Sequence, residues 1–222
     1  EIADEANMDS ARLVASWQIL SYANEAETEA CIRSRLLVDS TSDICLVAIE
    51  PGVSMYAYDP RIVLILRGRI AGASRVLGKV SYPLMDERYP GWEDQPGEPE
   101  AFVTGIDRGV IRLFRTPVVP GQLRLTVVRT PLQPMTTSGD QPEIPSRWHP
   151  GLVLWIKHKV YNNQDSELFD KNRADTHLQM FEQQFGPRPV PGGDVFAAMQ
   201  LPTSLPAPSN GSVRSVDDGT YY

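Results

Sequence analysis

Residues 147–186 read RWHPGLVLWIKHKVYNNQDSELFDKNRADTHLQMFEQQFG and predict two helices joined by a short polar turn. Ser146 stands before them as an N-cap, and Pro150 falls in the first turn, where a missing N–H costs nothing. Leu152, Trp155, Ile156 and Val160 form the buried face of the first helix. Asp170 caps the second, whose stripe is Ala174, Leu178, Phe181 and Phe185. Gly186 suits the residue after a helix, and Pro187 forbids continuation. The pair therefore reads as an αα-hairpin.

A hairpin with one apolar face needs a third helix to cover it. Residues 17–43, WQILSYANEAETEACIRSRLLVDSTSD, supply one. Ser16 is its expected cap, and its apolar stripe (Ile19, Leu20, Ala23, Ala26, Ala30, Leu37, flanked by Cys31) predicts a helix to about Val38. Glu25, Glu27 and Glu29 mark its expected wet side. Arg33 and Arg35 suit its C-terminal turns, and residues 39–43 close it with side chains that bond their own backbone. Residues 1–7 read as the end of a short helix and residues 8–15 as a connection. The chain opens at Glu1 with no methionine, so a processed or missing start is expected.

Between these helical ends lies strand sequence. Residues 44–49, 53–58 and 61–71 are strand-like. Gly72-Ala73-Ser74 is a hairpin turn, and residues 75–80 are its return. Residues 81–89 suit a short helix capped by Ser81, and residues 90–100 a loop. Further strands follow at 101–106, 110–115 and 122–130, and near-regular short strands predict an antiparallel sheet or sandwich. The expected organisation is α+β. N-terminal helices (1–43) and a C-terminal αα-hairpin (146–186) form a helical bundle, with an inserted β-rich domain (44–130), a proline-bearing linker (131–145) and an extended arm (187–222). The arm is proline-rich apart from the apolar cluster VFAAMQL at 195–201, the pattern of a docking element that orders on a partner.

The 222 residues carry a formal net charge of −7, which argues against a dedicated nucleic-acid-binding surface and fits a channel wall that must not grip DNA. Cys31 and Cys45 form no CxxC and are expected as buried free thiols. No signal peptide and no apolar run near membrane-spanning length occurs. His149, His158 and His177 are the only histidines, and none pairs at metal-binding spacing. Asp165, Glu167, Asp170 and Asp175 gather around the helical turn, where capping and solvation explain them better than acid–base catalysis. No phosphate loop, dinucleotide fingerprint or GxSxG elbow is present. No catalytic, cofactor or metal residue is therefore assigned. Arg61, Arg67, Arg69, Arg75 and Lys79 line one hairpin, either as a solvated strand face or as a patch for DNA or an acidic neighbouring subunit. Trp92, on the irregular loop PGWE, either meets another chain or folds back on its own sheet.

Several stretches resemble, in order, the head-to-tail adaptor proteins of tailed bacteriophages. They are the first helix with its Asn24-Glu25-Ala26 centre, the turn Tyr58-Asp59-Pro60-Arg61, the loop PGWE, the strands FVTGIDRGVIRLFRTP and LRLTVVRTPLQPM, and EIPSRWHPGLVLWIKHKVYNNQDSELFDKNRADTHLQMFEQQFG. The resemblance covers about residues 1–186. It implies a helical bundle with a β-rich insertion, acting as a structural part of the virion made in the bacterial host cytoplasm. The implied partners are the portal protein, tail or nozzle proteins and further copies in a ring, typically of twelve. Genomic double-stranded DNA would pass the lumen without specific binding, and no membrane or cofactor is involved. Position and composition make Val195, Phe196, Met199 and Leu201 the candidate portal anchor. Trp92, Arg67 and Arg69 are candidates for contact with tail or neighbouring subunit. The other reading is a small cell-wall hydrolase or a carbohydrate- or ligand-binding module of a phage tail, using the acidic turn or the Trp92 loop.

Overall fold

The computed structural model describes residues 14–72, 75–164 and 166–189. The expected helix at 1–7, the turn residues Ala73 and Ser74, Asp165 and the candidate anchor Val195, Phe196, Met199 and Leu201 lie outside the described residues.

The described residues contain four α-helices: α1 (Ser16–Ser34), α2 (Tyr82–Arg88), α3 (His149–Tyr161) and α4 (Lys171–Phe185). Helix α1 is entered through Ala15, whose N–H donates to the Gln18 side chain at 3.0 Å, so Ser16 is the first helical residue and not the cap. It stops four residues earlier than its periodicity predicts. Arg35 takes a left-handed conformation (φ 53°), and Leu37–Asp39 then pair as strand β1. Leucine and valine tolerate either state. The open edge of a neighbouring strand decides the matter, because it offers backbone partners that another helical turn would forgo.

Helices α1, α3 and α4 share one apolar core of Ala26, Ala30, Leu152, Phe181 and Phe185, joined by Ile144 from the segment before α3. Phe181 and Phe185 meet in a tilted contact at 4.6 Å between centroids, with Trp155 and Trp148 on their flanks. The α4 signals act as read. The Asp170 side chain accepts from the Arg173 N–H at 3.1 Å, and Gly186 closes the helix with φ 86°, where a side chain would be strained.

The remaining strands are β2 (Leu46–Ile49), β3 (Met55–Ala57), β4 (Ile62–Ile70), β5 (Val76–Ser81), β6 (Ala101–Thr104), β7 (Val110–Phe114) and β8 (Gly121–Arg129). They form one curled sheet in the order β1-β8-β4-β5-β6-β7-β3, with β2 continuing beside β8 where β1 leaves off. The expected antiparallel sheet or sandwich needs correction: β5 and β6 run parallel, so the sheet is mixed. A parallel pair requires a crossover, and residues 82–100 with α2 provide it. Two bulges in β4, at Ile62/Leu64 and Ile65/Arg67, bend the sheet and change which residues face inward. Past the second bulge, Gly68 turns in against Phe102. A Cβ there would come within 3.2 Å of that ring, so glycine lets the strand close on its core.

The inner face of the sheet buries Ile65, Leu77, Phe102, Ile111, Leu113 and Leu125. The outer face is covered over β5–β7. There Met85 of α2 and Trp92 pack on Val80, Ala101, Val103 and Phe114.

Candidate assembly surfaces

The helices meet the sheet through a polar clasp. Residues 131–145, expected as a linker, are tied to α1 by side chains. Asn24 accepts from the Met135 N–H at 2.8 Å and donates to the Met135 carbonyl at 2.9 Å. Glu27, 1% exposed, accepts from the Ile144 N–H at 3.0 Å. The expected wet side of α1 is corrected here: Glu27 and Glu29 are buried, because residues 131–145 and α4 cover that face. Arg33 draws in Glu29 at 3.1 Å and Glu182 at 3.3 Å, and its guanidinium lies over the Trp155 and Phe181 rings. Where the chain leaves α4, Arg188 reaches Glu29 at 3.3 Å.

At the sheet end of the clasp stands Arg129, the last residue of β8. It donates to Asp39 at 2.6 Å, and it also pairs with Glu143. Asp39 additionally accepts from the N–H groups of Thr41 and Ser42 and from both their hydroxyls. Burial alone would raise the Asp39 carboxyl. The donors of Thr41, Ser42 and Arg129 outweigh it and hold that group well below the usual carboxylate range. The Arg129 hydrogen bond likewise lowers Glu143. Glu27 shifts the other way. Burial pushes its carboxyl up despite the backbone donors it accepts from.

The outer face of the sheet presents the opposite situation. Arg67, Arg69, Gln122 and Arg124 are exposed on β4 and β8, and Arg69 stands directly across from Arg124. Like charges in that register repel. Arg67 and Arg124 make no ion pair with any described residue. Val76, 41% exposed, sits across from Arg69 on β5, and Leu66 is 47% exposed on β4. Arg61 belongs elsewhere, paired with Asp59 at 2.7 Å, and the Lys79 ammonium donates to the Ile65 carbonyl. Of the hairpin cations, Arg67 and Arg69 thus share one exposed face. Arg124 was missed because nothing local places β8 beside β4.

Trp92 folds back on its own sheet. It is 3% exposed, its indole N–H donates to Asp86 at 2.9 Å, and the Arg112 guanidinium lies over its ring. Of the two readings of Trp92, the ring itself takes the second, since β6 and β7 offer it an apolar seat. The acidic residues around it do reach solvent: Glu87, Asp94 and Glu98 are exposed, and none pairs with a described cation. A second exposed apolar feature is the loop after β7, where Val118 is 59% and Val119 67% exposed.

The remaining titratable residues take the following places. Asp170 caps α4, Asp175 pairs with Lys171 at 2.6 Å, and Asp59, in the cleft beside β2 and β3, is lowered to about 2 by its hydrogen bond with Arg61. His158 donates to the Ala174 carbonyl and His149 to that of Ile144, both at 2.9 Å, as packing residues do. Cys31 and Cys45 are buried free thiols, and burial pushes Cys31 up to about 12. Among the described residues, no group of three or more His, Cys, Asp or Glu could hold a metal ion. No described helix is long and apolar enough to cross a membrane.

The chain is α+β, its clustered polar groups brace the fold, and its open charged groups lie on the sheet's outer face and the crossover. Its sequence matches the family model described as SU10 adaptor protein over residues 1–200, and the chain belongs to that family of phage head-to-tail adaptors. No curated protein matches it. Membership makes it a structural component of the virion.

Proposed function

We propose that the chain forms a ring beneath the portal, closes the packaged head, receives the tail and leaves a lumen for DNA. The observation that carries this reading is the family match, which runs past Gly186 to residue 200 and so takes in Val195, Phe196 and Met199 of the arm. Arg188, at the start of the arm, pairs with Glu29 of α1 at 3.3 Å, which supports an arm that leaves from beside α1. In this reading the helices are the rigid base, and the arm docks on the portal through Val195, Phe196, Met199 and Leu201. The curled sheet meets neighbours or tail. The acidic balance of −7 lets DNA slide instead of adhering. Twelve copies would match the ring implied by the resemblance.

The test is to mix the full chain with portal rings and weigh the product by light scattering, with and without residues 187–222. A stoichiometric complex that vanishes on truncation is expected. Absence of any complex with the full chain would overturn the portal partner, and an equal complex from the truncated chain would move docking off the arm.

A further inference from the structure

We infer that the uncovered half of the sheet's outer face receives the acidic crossover of a second copy of this chain. The inference deepens the ring reading and rests on it for the requirement that copies meet. The receiving surface is Arg67, Arg69 and Arg124 with Val76 and Leu66. The entering surface is Glu87, Asp94 and Glu98, carried on α2 and the Trp92 turn.

Three observations converge. First, the same sheet face is treated in two ways. Over β5–β7 it is covered by Met85 and Trp92, whereas at Arg67 and Arg69 of β4 and Gln122 and Arg124 of β8 it is exposed. Second, the open half gathers like charges, with Arg69 facing Arg124 across the strand pair. Neither Arg67 nor Arg124 has a carboxylate partner among the described residues, in a chain that carries 28 acidic residues against 21 basic ones. Third, the crossover is fixed in shape yet keeps open charge. The Trp92–Asp86 hydrogen bond and the Arg112–Glu93 pair at 3.0 Å hold its turn, while Glu87, Asp94 and Glu98 stay exposed.

A second copy brings what the first lacks. Arginine fits such a contact because its planar fork pairs carboxylates at two points, and it is enriched at interfaces together with apolar neighbours. Exposed Val76 and Leu66 beside the cations suit a protein partner better than a phosphate backbone, which offers no apolar surface.

The experiment uses charge exchange in the full chain. One variant carries Arg67→Glu and Arg124→Glu; the other carries Glu87→Arg, Asp94→Arg and Glu98→Arg. Association of copies is followed by sedimentation of the concentrated protein, and on portal rings by light scattering. Each variant alone should associate at least tenfold more weakly than the parent, and an equimolar mixture of the two should recover most of the loss. Rescue on mixing also shows that both variants fold. If either variant alone associates like the parent, or if mixing restores nothing, the inference is overturned. Arg67→Gln with Arg124→Gln tests the alternative occupant. If that variant assembles normally but loses affinity for a DNA duplex, the face belongs to DNA and the inference fails. Copies that associate without binding portal would overturn the portal reading alone.

Discussion

Strand β8 carries two arginines five positions apart with opposite circumstances. Arg129, 7% exposed, holds Asp39 and Glu143 and closes the junction between helices and sheet. Arg124 stands in solvent across from another arginine, with no carboxylate of its own. The contrast separates two uses of charge. A buried arginine is tolerable only when its partners are complete, and it then ties distant segments into one arrangement. An exposed arginine contributes little to the single chain and remains available to a neighbour.

The sharpest way to break this contrast is Arg129→Met. It leaves Asp39 and Glu143 facing each other without their cation, and removing one partner of a buried pair costs roughly 3–5 kcal/mol. Urea unfolding should show a loss of that size. A cost below about 1 kcal/mol would mean that the junction relaxes freely and that Arg129 is no brace.

The clasp also predicts opposite responses to pH from its two carboxyls. Asp39 is depressed when folded, whereas an unfolded aspartate titrates near ~3.9. Its stabilisation is therefore present above about pH 4 and is lost as pH falls toward the folded value. Asp39→Asn should cost about 2 kcal/mol at pH 7, the scale of hydrogen bonds to a charged group, and progressively less in acid. Glu27 is raised, so its sign reverses. Its contribution is complete below the unfolded glutamate value near ~4.3 and erodes as pH rises through the folded one. Glu27→Gln should accordingly gain stability relative to the parent as pH climbs from 4 to 8. Urea midpoints from about pH 2 to pH 8 decide it, and parallel pH trends in the two variants would refute the assignment.

Helix-forming sequence with explicit punctuation was legible. Asp170, Gly186 and Pro187 bound α4 by backbone chemistry that needs no tertiary partner, and the structure follows them. What depended on distant partners was not legible. Glu27 and Glu29 look solvated on a helical wheel, and only residues 131–145 and α4 make that face interior. Leu36-Leu37-Val38 fits helix or strand until the edge of β8 is known. The parallel β5–β6 pair was hidden even though its helix was legible at 81–89, because one short helix and a loop between two strands fit an antiparallel return as well as a parallel crossover. Of the candidate contacts, Arg67 and Arg69 could be placed on one strand by alternation. Arg124, which completes their face, comes from a strand more than fifty residues away.

The covered and open halves of the outer face allow a finer comparison. Trp92→Phe keeps an aromatic ring over Val103 and Phe114 but loses the hydrogen bond to Asp86, at a cost of about 1 kcal/mol. Thermal unfolding would register it, and an unchanged midpoint would show that apolar burial alone seats the turn.

The smallest effect belongs to the open half. Arg67→Gln with Arg124→Gln removes two cations that hold no carboxylate in the single chain, so unfolding should move by no more than ~0.5 kcal/mol. The shift should be toward greater stability, because the repulsion between Arg124 and Arg69 is relieved. Adding 0.5 M salt should erase even that gain in the parent comparison, since a Debye length of only a few ångströms screens exposed charges. A destabilisation of 2 kcal/mol or more would place these arginines with Arg129, as braces of the fold. A neutral or slightly favourable result leaves the single chain with no reason of its own to hold Arg67 and Arg124 on that exposed strip of sheet. The reason then lies in what covers that strip.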